Sequence, residues 1–231
     1  MFRTLEAPTR KSGIMASTIS ELLLPSNLMS LLRIALAPPA AFFLSRNNAT
    51  GTVAAVVVIL VAAGSDGLDG YLARRQKQQS SLGILLDPFA DKVFALSLVV
   101  SLVIFRQFPL WLAALIVGRD LLISYGALLL NHRRHLRIPS NLAGKYAFAS
   151  VVTLLGAYVI DFQFSIRLMT PVVVILSVVS LVSYIQQYRR AFAGEPTPAF
   201  ADSRAFRTIR IVLTTLVAIA HVVMFYVEKL S

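Results

Sequence analysis

The sequence predicts an all-α integral membrane protein, with a bundle of six transmembrane helices followed by one extra C-terminal transmembrane helix. Hydrophobic residues make up 57% of the chain, charged residues only 14%, and the mean hydropathy is +0.73. These values exceed those of soluble globular domains and indicate a chain that folds in lipid. The apolar residues also fall into runs near the ~20 residues that a helix needs to cross a bilayer.

Seven apolar runs define the predicted helices in chain order. They cover 28–44, 52–72, 82–105, 110–130, 146–160, 166–185 and 209–226. Polar or basic stretches separate them and predict the domain layout. We expect a disordered basic cytosolic tail at 1–20, a transmembrane domain at 21–190, a cytosolic linker at 191–208 and an accessory helix at 209–231.

The basic residues predict how the helices are oriented, because Lys and Arg favour the cytosolic side of a membrane. With the N-terminus in the cytosol, fifteen of the 22 Lys and Arg residues lie on the inner side and four on the outer side. Their position between the apolar runs argues against a nucleic-acid partner, in spite of the net charge of +11. The absence of cysteine excludes disulfides and thiolate chemistry.

Two acidic segments flank the polar turn between the second and third runs. Asp66 and Asp69 are three residues apart and Asp87 and Asp91 are four apart, so each pair shares one helix face. Four intramembrane Asp residues, at roughly 3 kcal/mol each, cost on the order of 10 kcal/mol and therefore indicate function. Facing carboxylates need cations between them, and hard oxygen ligands suit Mg²⁺ or Mn²⁺. Because two such ions usually meet a phosphate, the pattern predicts a two-metal site for a phosphate-bearing substrate.

The acidic pattern resembles the signature of the CDP-alcohol phosphotransferase (CDP-alcohol phosphatidyltransferase) family. The matching positions are Asp66, Asp69, Gly70, Ala73, Arg74, Gly83, Asp87 and Asp91. The segment 25–33 is similar to the one that opens the first helix in bacterial phosphatidylglycerophosphate synthases and in cardiolipin synthases of this type. Together these likenesses extend over residues 20–190.

The resemblance implies an enzyme that uses CDP-diacylglycerol and a small alcohol or lipid acceptor among the membrane lipids. It further implies a homodimer in the bacterial inner membrane, and the distribution of Lys and Arg predicts that the active site faces the cytosol. The implied metal ligands are Asp66, Asp69, Asp87 and Asp91. Asp91 is also implied as the catalytic base. The implied contacts to the CDP moiety are Gly70, Ala73 and Arg74.

The residues of the acceptor pocket are harder to predict from the sequence. If the acceptor carries a phosphate, basic residues near the later helices should hold it. Our candidates are Arg119, Arg137, Lys145 and Arg189. Arg119 and its neighbour Asp120 lie inside the fourth run, where they either serve the acceptor or simply pair with each other.

Three functions can be compared with these observations. The first is transfer of a phosphatidyl group from CDP-diacylglycerol to glycerol 3-phosphate, with release of CMP. The second is the same chemistry with phosphatidylglycerol as acceptor, giving cardiolipin, and the Arg119-Asp120 dipeptide resembles the cardiolipin enzymes at this place. The third is a cation or proton transporter, which predicts acids spread across the membrane depth, whereas the acids here cluster at one face.

Overall fold

The computed structural model describes residues 25–76, 81–134, 141–194, 214, 217–218 and 220–228. All regular structure in these residues is helical, which confirms the predicted fold class. The six long helices are α1 (Pro25–Ser45), α2 (Ala49–Gln76), α3 (Ser81–Phe105), α4 (Leu110–Arg134), α5 (Leu142–Ile160) and α6 (Gln163–Ala193). A further helical segment covers 220–228.

Five of these helices contain stretches that are long and apolar enough to cross a membrane. The stretches are Asn27–Ser45, Leu86–Phe105, Leu110–Asn131, Leu142–Ile160 and Gln163–Ala193. In α2 the apolar section, Ala49–Ser65, is shorter, because the acidic segment and two arginines occupy the rest of the helix. The predicted spans therefore correspond to the observed helices, while the helix ends extend further into polar sequence.

Large apolar side chains cover much of the surface of the described helices. Leu110, Leu128, Tyr125 and Phe148 are each more than 60% exposed. Most of the buried positions instead carry small residues, as in α1 and α2. A soluble protein would not tolerate so much exposed apolar surface, whereas lipid solvates it.

The chain divides into two compact units, 1–101 and 102–231, and their boundary falls within α3. In the first unit, α1 packs along α2, and small buried side chains on both helices allow a close approach. The two helices are joined by a tight turn in which the Asn48 side chain accepts a hydrogen bond from the Gly51 amide (2.7 Å). A Cβ at Gly51 would lie 2.7 Å from the Phe43 carbonyl oxygen, so the turn requires glycine there.

In the second unit, α6 packs against both α4 and α5. Two tyrosines of α6 lie over glycines of its neighbours: Tyr188 over Gly126 of α4, and Tyr184 over Gly144 of α5. The Tyr188 hydroxyl donates to the Ile123 carbonyl oxygen (2.8 Å). Because glycine has no side chain, Gly126 and Gly144 leave the space that the two tyrosine rings fill.

The beginnings of α5 and α6 are capped in different ways. The Asn141 side chain accepts from the Gly144 amide (2.6 Å) at the start of α5 and donates to Ser183 Oγ of α6 (3.0 Å). Phe162, at the start of α6, has no capping side chain. Glu228 of the C-terminal segment supplies the missing acceptors, with its two carboxylate oxygens 3.0 Å and 3.2 Å from the amides of residues 163 and 164.

The C-terminal helical segment therefore docks on the N-terminus of α6. His221 bonds to Ser165 Oγ (3.0 Å), and its ring packs edge-on against Phe162. Phe225 meets the same Phe162 ring at 5.5 Å. The accessory helix predicted at 209–231 thus has a structural role at the N-terminus of α6, through residues 221–228.

Candidate active site

The two acidic segments lie on consecutive helices. Asp66 and Asp69 belong to the last part of α2, which continues to Gln76, and Asp87 and Asp91 belong to the first part of α3. Since both segments are helical, the spacings of three and four residues place each pair on one face, as predicted. Residues 66–76 and 81–85 are described for their backbone only, so the predicted roles of Asp66, Asp69, Gly70, Ala73, Arg74 and Gly83 lie outside the description.

Arg33 of α1 contacts both carboxylates of α3. Its guanidinium lies 3.4 Å from Asp87 Oδ1 and forms an ion pair with Asp91 Oδ1. Ser30, one helical turn earlier, donates from its hydroxyl to the same Asp87 oxygen (3.3 Å). One face of α1 therefore holds the two acids of α3 from one side.

The charges of this cluster differ greatly in exposure. The Arg33 side chain is only 4% exposed, whereas the side chains of Asp87 and Asp91 are 48% and 51% exposed. The guanidinium of Arg33 is thus buried in the protein, and the two carboxylates are partly exposed at its surface. An incoming ion or phosphate would meet the carboxylates before it met the arginine.

The described residues fit a divalent cation by their donor chemistry. Asp87 and Asp91 offer hard, charged oxygens, and their Oδ1 atoms already share one cationic neighbour. The described side chains contain no cluster of three or more potential metal ligands, and those of Asp66 and Asp69 are outside this set. Asp87 and Asp91 therefore lie near each other on α3, and their assignment as metal ligands stays a prediction.

In the sequence, Ser30 and Arg33 belong to the segment 25–33, whose resemblance to the family assigned them no role. A signal was nevertheless present, because an arginine inside an apolar run is a candidate functional residue by default. Ser30 stands three residues before it, on the same helix face. The sequence did not show that the partners of Arg33 are Asp87 and Asp91, which lie 54 and 58 residues further along the chain.

Arg119 of α4 is buried and has two partners. It forms an ion pair with Asp120 and donates to Ser180 Oγ of α6 at 2.6 Å. Arg119 and Asp120 thus pair with each other, which is one of the two alternatives that the sequence left open. The bond to Ser180 adds a contact across the α4–α6 interface.

Several buried polar atoms near this interface have no hydrogen-bond partner among the described residues. They are Arg119 Nε, Ser177 Oγ and Gln187 Oε1. Buried polar groups are normally satisfied by protein, water or ligand. The second unit therefore contains polar sites that can bind water or the polar atoms of a ligand.

The other predicted acceptor residues lie on different elements. Lys145 is on α5, Arg189 is near the end of α6, and both are exposed. Arg137 lies outside the described residues. Among the described side chains, the hydrogen-bond and ion-pair partners of Arg119 are Asp120 and Ser180, so a common acceptor pocket with Lys145 and Arg189 stays a prediction.

Comparison with known proteins gives a family match across most of the chain. The family model described as CDP-alcohol phosphatidyltransferase matches residues 23–185. This range includes Ser30, Arg33 and both acidic segments. It also includes the Arg119-Asp120 pair.

Individual relatives carry two kinds of name. A CDP-diacylglycerol–glycerol-3-phosphate 3-phosphatidyltransferase of Aquifex aeolicus is 34% identical over 176 residues, which are 72% of this chain and 94% of that protein. A protein of the same name from Mycoplasma pneumoniae is 31% identical over 157 residues, 59% of this chain and 69% of the relative. A cardiolipin synthase (CMP-forming) of Streptomyces coelicolor is 40% identical over 128 residues, 52% of this chain and 58% of the relative.

Proposed function

The chain belongs to the CDP-alcohol phosphatidyltransferase family, and we propose that it transfers a phosphatidyl group from CDP-diacylglycerol to glycerol 3-phosphate. The family makes it a membrane transferase of phospholipid synthesis. The choice of glycerol 3-phosphate as acceptor is supported by the Aquifex aeolicus relative, which is named for this reaction and is matched over 94% of its length. The products are phosphatidylglycerol phosphate and CMP.

The acidic residues supply the chemistry in this proposal. Asp66, Asp69, Asp87 and Asp91 would hold two divalent cations, Mg²⁺ or Mn²⁺, and bound cations would offset the charge of the diphosphate. Asp91 takes the proton from the acceptor hydroxyl as that oxygen bonds to the lipid-side phosphorus. The bond from this phosphorus to the CMP oxygen breaks, and CMP leaves with the electron pair. The half-exposed side chain of Asp91 is consistent with access by substrate.

The end of α2 is proposed to bind the CDP moiety. The helix continues without interruption through Gly70, Ala73 and Arg74, which follow Asp69 within the next five residues. Small residues allow the nucleotide to lie against the helix. Arg74 supplies a guanidinium suited to phosphate oxygens.

The acceptor phosphate is proposed to bind Arg119, Arg137, Lys145 and Arg189. Arg119 is the member with the most support, since it is buried and its Nε atom has no partner among the described residues. Its pairing with Asp120 offsets the cost of burying the charge. An anion of the acceptor would add a second counter-charge to this guanidinium.

Phosphatidylglycerol is the second candidate acceptor, and a specific observation favours it. The Streptomyces coelicolor relative, named as a cardiolipin synthase, has the highest identity of the relatives described above, although over a shorter range. The Arg119-Asp120 pair is also present and intact. In this alternative the attacking hydroxyl belongs to a lipid, and the basic residues would contact its headgroup.

The proposal places the protein in a bacterial inner membrane as a homodimer, with the active site facing the cytosol. The apolar helices support a membrane location. The distribution of Lys and Arg supports the orientation, because it puts the acidic ends of α2 and α3 on the cytosolic side. In the proposed layout, residues 1–20 and 191–208 are cytosolic, 21–190 carry the activity and 209–231 form the accessory helix.

The test is CMP release by the purified protein in detergent, with CDP-diacylglycerol and Mg²⁺ and with each acceptor offered separately. We expect release that depends on glycerol 3-phosphate and that falls at least ~100-fold in Asp91→Asn, because the general base is lost. Asp161→Asn, an exposed carboxylate in the α5–α6 turn, is the matched control and should retain activity.

Each other outcome selects a different function. Release that depends on phosphatidylglycerol alone would establish cardiolipin synthesis instead. If no CDP-lipid is consumed with any alcohol, the enzyme proposal fails and a cation or proton transporter becomes the working hypothesis. Retained activity in Asp91→Asn would remove Asp91 from the role of base.

A further inference from the structure

We propose that Arg33 is a positioning residue that competes with a divalent cation for the carboxylates of Asp87 and Asp91. The inference deepens the proposed function, because it rests on the assignment of these two acids to metal binding. It gives a role to the N-terminal segment of α1, to which the sequence assigned none. It also predicts the direction in which metal affinity changes when Arg33 is replaced.

The geometry supports competition because one nitrogen of the guanidinium serves both acids. The same Nη1 atom of Arg33 faces Oδ1 of Asp87 and Oδ1 of Asp91. These two oxygens come from residues four apart on α3, so they lie one above the other on the helix. A cation that bridges the pair needs the oxygens that the guanidinium already contacts.

The burial pattern explains why the arginine stays at this position. A buried guanidinium without a counter-charge is strongly unfavourable, so Arg33 holds at least one carboxylate against α1. Ser30 reinforces the arrangement through its bond to Asp87. The acids are therefore oriented from the protein side, while about half of each side chain is open on the other.

The sign of the effect follows from Coulomb attraction. Arg33 places a positive charge within ion-pair distance of two carboxylates, which weakens their attraction for a second cation. Replacement by the neutral Gln removes the competing charge and leaves a shorter side chain with a polar amide. We expect Mn²⁺, used as the probe ion, to bind roughly tenfold tighter to Arg33→Gln than to the unmodified protein.

The experiment measures Mn²⁺ binding to the full-length protein in detergent, by the loss of the signal of free Mn²⁺ in electron paramagnetic resonance. Thermal unfolding is followed in parallel with a chelator and with saturating Mn²⁺. In Arg33→Gln we expect tighter binding, a lower unfolding midpoint with chelator, and a smaller deficit with Mn²⁺. The ion takes over the neutralisation of the two acids, so the loss of the arginine then matters less.

Two further variants act as controls. Arg33→Lys keeps the charge and should bind Mn²⁺ within about threefold of the unmodified protein, since the competing cation remains. Arg46→Gln removes an exposed arginine from the turn after the same helix, where it packs over the Phe42 ring, and should change nothing. If Arg33→Gln does not fold, Arg33→Lys decides: Mn²⁺ affinity within about threefold of the unmodified protein agrees with competition, and a tenfold gain contradicts it.

Unchanged or weaker Mn²⁺ binding in Arg33→Gln overturns the inference, as does a stability loss that is equal with and without the ion. An unmodified protein that binds no Mn²⁺ overturns it too. The proposed function fails separately, through the absence of CMP release in the unmodified protein. A protein that shows the Mn²⁺ difference without consuming CDP-lipid would keep the competition and lose the transferase assignment.

Discussion

Glu228 offers a direct test of how the C-terminal segment stabilises α6. Its carboxylate accepts hydrogen bonds from the amides of Gln163 and Phe164, at 3.0 Å and 3.2 Å. Phe162, the residue before the helix, contributes no capping side chain. Glu228 therefore satisfies two amides of the first turn of α6 from 64 to 65 residues away.

The expected magnitude follows from capping and from the helix dipole. A side-chain cap is worth ~1 kcal/mol, and a negative charge at a helix N-terminus adds about 0.3–1 kcal/mol. Glu228→Gln removes the charge and keeps one carbonyl acceptor. We expect the first turn of α6 to lose about 1 kcal/mol of local stability, a factor of roughly five in its opening equilibrium.

Hydrogen exchange of the peptide that contains Gln163 and Phe164 measures this change directly. Exchange in the variant should be about fivefold faster at these amides, while the amides in the middle of α6 keep their rates. Tyr226→Phe is the matched control, because Tyr226 is in the same segment, 63% exposed, and its ring contact with Phe225 is kept.

Equal exchange in Glu228→Gln and in the unmodified protein would refute the capping argument. Faster exchange along the whole of α6 would also contradict it, since that result would indicate global loss of packing. Faster exchange in Tyr226→Phe would show that any change in the segment has the same effect. Only a local and charge-dependent change agrees with the geometry.

Two further predictions concern the packing of α6 against its neighbours. Gly126→Ala should lower the unfolding midpoint in detergent, by the equivalent of about 1–3 kcal/mol, because its Cβ would lie 2.4 Å from the Tyr188 ring. Gly118→Ala on the same helix meets no atom within 4 Å and should have little effect, and an equal loss in both variants would contradict the argument. Asn141→Ala should cost ~1–2 kcal/mol, because it removes the cap of α5 and the bond to Ser183. Faster exchange confined to the first turn of α5 would support this, and unchanged exchange would oppose it.

The helices could be predicted closely because their determinants are local. The length of an apolar run is set against the thickness of a bilayer, and all six long helices appear where the hydropathy placed them. The ends were less accurate, since α2 continues to Gln76 and α6 to Ala193, beyond the predicted 72 and 185. Hydropathy falls where charged residues begin, but the backbone hydrogen bonds of a helix continue through them. The start of α5 at Leu142 depended on the Asn141 cap, which a count of apolar residues does not register.

The acidic spacing, the family resemblance and the predicted chemistry also came from the sequence alone. In a helix, residues three or four apart lie on the same face. The shared face of each Asp pair could therefore be predicted without tertiary information. The same is true of the positive-inside orientation, which depends only on the order of charges along the chain.

The tertiary structure decided which distant residues meet. Arg33 reaches Asp87 and Asp91, Arg119 reaches Ser180, and Glu228 reaches the first turn of α6. Every one of these contacts joins residues more than 50 positions apart. The length of an apolar run determines whether a helix can cross the bilayer. Lipid solvates every apolar face alike, however, so the length of the run does not determine which face of the helix packs against which neighbour. That choice depends on the small residues, buried polar groups and helix ends that fit together only in the folded chain.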